Sequence, residues 1–215
     1  MRDSRWERLA PATGIVFVVL TVVAGATAGL GTQDAAVFFV ESRDRVLASS
    51  YLFGLSMVFF MWFLGSLRSN LRRAEGGSGR LSAVAFGGGL LTVAALFISG
   101  ALNAALAAGI AERSDPGITR ALYALSVRTV DLIGFWLAVL TGAAGLVMLR
   151  SATFPSWLGW FGAVVAVGSL VGPIAIFVES GPFASAGIYG NLLLAAFLLW
   201  VLLSSVILVR GVDAE

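Results

Sequence analysis

The chain has 215 residues, 59% of them hydrophobic and only 12% charged, with a formal net charge of +2. Soluble domains average roughly 45–50% apolar and about 25% charged, so this composition excludes water as the only solvent. A pI near 9.7 is no sign of nucleic-acid binding, because the excess charge is small and the arginines that produce it flank apolar blocks.

Each apolar block is long enough to cross a hydrocarbon core of about 30 Å, which takes about 20 helical residues, so the class is an all-α, polytopic membrane bundle. The absent residue types narrow the chemistry further. There is no Cys and no His, which removes thiolate nucleophiles, haem ligation, imidazole acid–base catalysis and most metal sites. Every basic side chain is Arg, which closes off Schiff-base and lysine-based covalent catalysis. No enzymatic activity, cofactor or metal is expected. The Arg-only, Ala/Gly/Val/Leu-rich usage points to a high-GC bacterial genome, and hence to a bacterial plasma membrane.

The first span covers about 10–30, after a segment carrying Arg2, Arg5 and Arg8. It resembles a signal peptide, and Ala24-Gly25-Ala26 offers small residues of the kind a signal peptidase uses, but the apolar run exceeds the 7–15 residues of a signal core and favours an uncleaved helix. A short amphipathic segment, 32–45, follows on the outer surface, with Thr32 or Asp34 available as a helix cap. Glu41, Arg43, Asp44 and Arg45 alternate in sign there and read as a solvated turn that neutralises itself.

The second span covers 46–67 and leads into a basic, glycine-rich loop from Arg68 to Arg80. That loop is a flexible turn and not a phosphate cradle, since no strand precedes it and no Lys follows it. The third and fourth runs, 81–111 and 118–149, would each reach roughly 46–48 Å at 1.5 Å per residue, well beyond the core. They are expected to project outward as a helical hairpin around Pro116-Gly117, covered by the 32–45 segment. Pro155 opens the fifth span, 156–178, with Trp157 and Trp160 at headgroup level, and the sixth covers 188–209. One domain of six helices results, with no sequence repeat.

Orientation follows from the arginines. With the N-terminus inside, nine (Arg2, Arg5, Arg8, Arg68, Arg72, Arg73, Arg80, Arg150 and Arg210) lie in the cytoplasm and five (Arg43, Arg45, Arg113, Arg120 and Arg128) lie outside, which favours both termini in the cytoplasm.

Small residues recur at four-residue spacing in Gly25/Gly29, Gly100/Ala104/Ala108, Gly162/Ala166 and Gly168/Gly172, as close helix packing in lipid requires. In a chain with 26 Gly many such pairs arise by chance. Asp131 is the most informative charge. It shares a stripe of the fourth helix with Gly134, Ala138, Thr141 or Gly142, and Gly145, so it should face neighbouring helices. Arg128 stands three residues earlier, within reach of its carboxylate. On the third helix Thr92, Ser99 and Asn103 form a matching polar stripe, and Asn103 falls at a comparable depth to Asp131. A lone carboxylate in hydrocarbon costs at least ~2.5 kcal/mol, so Arg128, Asn103 or both should hold it. The plainer reading is a structural ion pair, and the sharper one a ligand or transport site. Glu179 and Asn191 stand at the outer ends of the fifth and sixth helices, as do Tyr51, Tyr123 and Tyr189, so any pocket should open at that end.

The stretch from Arg45 through Trp62-Phe-Leu-Gly-Ser-Leu-Arg68, with Arg72-Arg73-Ala-Glu75-Gly-Gly after it, resembles an uncharacterised bacterial family of small six-helix membrane proteins. Pro155-Ser-Trp157-Leu-Gly-Trp160 and the helical outer segment are similar to the same group and to a broader bacterial domain of unknown function. The resemblance implies the six-helix fold and brings no activity, substrate or site residues.

Three functions compete. The favoured one is non-enzymatic binding of an amphiphile, lipid or membrane partner at the outer end of the bundle. The second is a small secondary transporter coupled through Asp131, against which stand the single deep acid and the absence of an inverted repeat. The third, a carboxylate enzyme, needs a second acid beside Asp131, for which Glu41, Asp44 and Glu179 are candidates. Membrane lipids are the expected partners, another membrane protein or a second copy remains open, and no nucleic acid is expected. Cysteines introduced at Ser78 and Ser114 should be labelled from opposite sides by an impermeant thiol reagent, Ser114→Cys alone reacting in intact cells. Labelling of Ser78→Cys from outside would reverse the orientation.

Overall fold

A computed structural model describes residues 3–29, 34–178, 180–185 and 187–212, with side chains described from Ala10 to Arg210. Among the described residues there are seven helices and no strand: α1 (Asp3–Ala28), α2 (Ala35–Glu41), α3 (Arg43–Glu75), α4 (Arg80–Arg113), α5 (Pro116–Arg150), α6 (Ser156–Phe177) and α7 (Ile188–Val212). All but α2 are long and apolar enough to cross a membrane. Arg2, Thr32 and Glu179 lie outside the described residues.

The helix ends follow from local chemistry. Asp34 caps α2, accepting from Ala36 N at 3.0 Å. Asp115 caps α5, accepting from Gly117 N at 2.6 Å, with Pro116 at the first helical position. The second helix is longer than its apolar run suggests. It starts at Arg43, so Arg43, Asp44 and Arg45 form its first turn and are not a loop, and it continues through the Arg68–Glu75 segment. Only residues 76–79 turn the chain, with Gly76, Gly77 and Gly79 at φ of 65°, 59° and 66°, where a Cβ would clash. Glu75 then clamps the turn: its Oε1 accepts from Leu81 N at 2.8 Å and its Oε2 from Ser82 N at 2.9 Å. This carboxylate takes the free N–H groups at the start of α4, the place where a phosphate would otherwise bind.

The expected hairpin is present. Helix α4 runs to Arg113 and α5 begins three residues later, with a single irregularity, a π-helical turn over Leu106–Ile110 in which Gly109 takes φ 140°. At its far end α6 tightens from α-helix into a 3₁₀ turn at Gly172–Phe177, where Pro173 cannot donate an α-helical bond.

The six long helices form a ring in which each packs on the next, in the order α1, α3, α4, α5, α6, α7 and back to α1. Helix α5 is the most enclosed. The ring is filled at the end carrying Arg68, Arg80 and Arg150. There Phe17 stacks on Phe60 at 4.4 Å, Phe60 meets Phe197 edge-on at 5.9 Å, and Leu140, Val147, Leu158 and Trp200 are fully buried around them. At the opposite end α2 lies across the α4–α5 hairpin, burying Phe39 against Leu106, Ala107 and Val46.

The small stripe of α5 makes the expected close approach. A Cβ on Gly134 would run into Ser169 O and lie 2.8 Å from Pro173 Cδ, and one on Gly145 would lie 2.9 Å from Gly159 O. The opposite stripe is not left to lipid, since Ile133, Leu140 and Val147 are buried too. Gly88 of α4 explains this: its Cβ would stand 2.8 Å from Leu140 N, so α4 and α5 touch through their backbones. Gly162 and Gly168 lie against α7, whereas Gly25 has no neighbour within 4 Å. Replacing Gly134 by Ala should therefore lower stability by about 1–3 kcal/mol, because α6 has to retreat. Gly25→Ala should be neutral or slightly stabilising, by roughly 0.5–1 kcal/mol from helix propensity. Thermal unfolding of the two variants in detergent checks the contrast.

Candidate functional site

The α2 end of the ring is hollow. A central chamber of about 300 Å³ is walled by all six long helices, with Phe17 and Phe197 of the aromatic core among its lining residues and the 183–185 loop segment bordering it. A second chamber of about 340 Å³ lies under α2, between α3, α4 and α5. Phe53, Leu96 and Val130 line both and form the partition between them.

Asp131 borders the central chamber, and its side chain is only 6% exposed while that of Arg128 is 45% exposed. The pair is made as the spacing implies, Arg128 Nη1 donating to Asp131 Oδ2 at 3.0 Å. Asn103 is not a partner. Its Oδ1 accepts from Ser126 Oγ at 3.2 Å, and Ser126 lies 2.8 Å from Ser99 Oγ. Depth matched Asn103 to Asp131, but Ser126 precedes Asp131 by five residues, a turn and a half, so the two polar groups sit in different chambers.

The second partner of Asp131 is Ser185, in the loop before α7, whose Oγ donates to the same Oδ2 at 2.7 Å. Arg128 Nη1 also reaches Ser185 Oγ at 2.9 Å and Ala175 O at 3.1 Å. A carboxylate, a guanidinium, a hydroxyl and a carbonyl thus tie α5, the end of α6 and the loop into one cluster. Both bonds to Asp131 fall on Oδ2, and among the described residues Oδ1 has no partner.

The remaining polar groups of this chamber are satisfied elsewhere. Thr21 donates to Ser56 Oγ at 3.2 Å, Thr92 to Gly88 O at 2.9 Å, Tyr189 to Gly168 O at 2.8 Å and Asn191 to Gly187 O at 3.2 Å. Of the three tyrosines expected at the interface, Tyr51 is exposed, Tyr123 packs on Phe39 and lines the α2 chamber, and Tyr189 is turned inward. Glu41 and Arg45 belong to neither chamber. Glu41 ends α2 in an exposed position, and Arg45 donates to Ser42 Oγ at 2.9 Å. Asp131 is the one acid on either lining among the described residues, and no group of three potential metal ligands occurs among them. Among the described residues no second carboxylate joins Asp131 on that lining, and the candidate Glu179 lies outside them.

Ser185 and Ser126 are the residues that reading the sequence missed. Ser126 carried a weak signal, its place opposite the Ser99–Asn103 stripe in an antiparallel hairpin. Ser185 carried none, since a loop serine has no periodicity. Compared with family models, with curated proteins and with solved structures, the chain matches none.

The cover of the second chamber has its own clamp. Arg120 on α5 reaches Asp34 at the start of α2 through Nη2 at 2.6 Å and Nε at 3.0 Å. That bond, with the Ala36 N–H, holds the Asp34 carboxyl below its usual range. A depressed carboxylate contributes stability above its unfolded pKa and loses it as pH falls through the depressed value. Hydrogen exchange at the α2 amides, corrected for intrinsic rates, should therefore be slow at neutral pH and accelerate in acid. The Arg120→Gln variant should exchange fast at both, and equal protection of the two proteins at neutral pH would show that the clamp does not hold α2.

Proposed function

We propose that this chain is a non-enzymatic, multi-pass protein of a bacterial plasma membrane, with both termini in the cytoplasm, that binds an amphiphile at the α2 end of its bundle. The observation that carries the reading is the central chamber: about 300 Å³, walled mainly by apolar side chains, with one neutralised carboxylate–guanidinium pair at its edge. An amphiphile divides in the same way. Its chain takes the apolar walls, and a head bearing a hydroxyl or amine donates to Asp131 Oδ1. The absence of His, Cys and Lys supports binding over catalysis. The nine-to-five distribution of arginines supports the orientation, which puts both chambers in the outer half of the bundle. Membrane lipids are then the partners, and association with a second copy or another membrane protein belongs to the same reading, as does kinship with the uncharacterised bacterial six-helix family.

The inward-turned Asp131 carboxylate favours a second reading, a small secondary transporter coupled through that residue. Against it, the helix irregularities, a π turn in α4 and a 3₁₀ turn in α6, both fall toward the α2 end and do not form the paired midspan breaks of a transport site.

Binding of a fluorescent fatty acid and of a fluorescent lysolipid in nanodiscs tests the first reading. Gly190 lines the chamber, and a Cβ there meets only Ser185 O at 3.9 Å. Gly190→Phe should thus fill the chamber and weaken binding roughly tenfold or more, ~1.4 kcal/mol, with little change in unfolding temperature. Asp131→Asn keeps an acceptor oxygen and should retain binding while lowering stability. Under the transport reading the same substitution abolishes coupled uptake with stability kept. Equal binding by the parent and Gly190→Phe would remove the chamber as the site.

A further inference from the structure

A third cavity lies on the outside of the ring. It is a groove of about 160 Å³ between α3 and α4, floored by Gly54, Gly100, Ala101 and Ala104 and flanked by Phe53 and Phe97. No charged residue lines it, and Phe97 and Ala101 are exposed on its rim. Phe53 borders this groove and both internal chambers, so one aromatic side chain is all that the three cavities have in common. Its ring lies beside Gly100, where a Cβ would stand 3.7 Å from Phe53 Cδ1, and packs against the edge of the hydrophobic core. Met57 is shared by the groove and the central chamber, and Ser50 and Gly100 by the groove and the α2 chamber.

We propose that this groove is a lateral portal through which a hydrocarbon chain passes from the surrounding leaflet into the chambers, with Phe53 as its gate. The proposal rests on the amphiphile reading above and deepens it, since it makes the ligand a molecule already dissolved in the bilayer. Small residues on both helices explain how a slot can exist there. Between α3 and α4, Gly54, Gly100, Ala101 and Ala104 contribute little or no side chain to fill the space, and the apolar lining matches an acyl chain. The continuity with the chambers carries the argument further than the groove alone would. A groove that merely seated a boundary lipid need share no wall with the two chambers, whereas Phe53 lines all three. Rotation of Phe53 about χ1, against the core side chains on which it packs, would join all three.

The chain has no Cys, so a single reporter thiol can be placed without background. Thr92 is fully buried and lines the central chamber but not the groove, and Thr92→Cys nearly conserves volume. In nanodiscs, N-hexadecyl maleimide dissolved in the bilayer should label the Thr92→Cys variant. Adding Ala101→Phe or Ala104→Phe, neither of which lines a chamber, should plug the groove and slow labelling about tenfold, the effect of raising a barrier by ~1.4 kcal/mol. Adding Phe53→Ala should speed it. Labelling rates in both plugged variants equal to that of the parent would overturn the portal, as would no labelling of the parent at all. Equilibrium binding of the fluorescent fatty acid, measured on the unmodified chain, decides the amphiphile reading separately: loss of that binding with groove-dependent labelling intact would leave a portal serving another hydrocarbon.

Discussion

The close approach of α5 to its two neighbours is the constraint on which the rest of the structure depends. In lipid the hydrophobic effect does not drive helices together, so backbones must touch for dispersion to hold them. Gly88 on one side, and Gly134 and Gly145 on the other, remove the side chains that would keep α4 and α6 away. With both flanks committed, α5 is the most enclosed of the long helices, and the sides it turns to α4 and α6 carry Ser126 and Asp131 into the interior. Asp131 then borders the central chamber and Ser126 meets Ser99 and Asn103. The two polar sites are consequences of one packing decision.

Helix α7 is held differently. It leans on α1 and only weakly on α6, and three of its buried polar atoms, Trp200 Nε1, Ser204 Oγ and Ser205 Oγ, have no hydrogen-bond partner among the described residues. Its link to the central helix at the α2 end is the Ser185 hydroxyl in the loop before it, bonded to Asp131. The ion pair therefore does two things at once: it neutralises a carboxylate that would otherwise cost several kcal/mol in the bundle, and it anchors the loop beside the central chamber. Among the described residues no other side chain ties that loop to α5.

The six long helices were legible in the sequence because membrane thickness sets a length that an apolar run either reaches or does not. Asp131 and Arg128 were legible because three residues on a helix bring side chains together whatever surrounds them. The length of α3 was not, since Arg68 to Glu75 is polar enough to read as loop. Only the tight turn at Gly76–Gly79 and the capping carboxylate of Glu75 reveal that it stays helical. Asn103 was misassigned for a geometric reason. Depth along antiparallel helices fixes one coordinate, but the angle around the axis decides which cavity a side chain enters, and five residues turn Ser126 away from Asp131. The chambers themselves leave no trace in the pattern, because a void is set by the sum of many side chains from several helices.

Those voids carry the final step. A dry chamber of about 300 Å³ leaves its apolar walls without partners on one side and forfeits their dispersion contacts. Water relieves that cost only where two to four polar partners await each molecule. Here Thr21, Thr92, Tyr189 and Asn191 already spend their donors on the protein, and Asp131 Oδ1 is the main acceptor left. A bundle surrounded by fluid hydrocarbon has a ready alternative that a soluble protein lacks. Under the proposed reading an acyl chain in the chamber would restore the missing dispersion contacts, and its head would meet Asp131 Oδ1. The cavity is thus less a defect of packing than a shape complementary to the solvent around it.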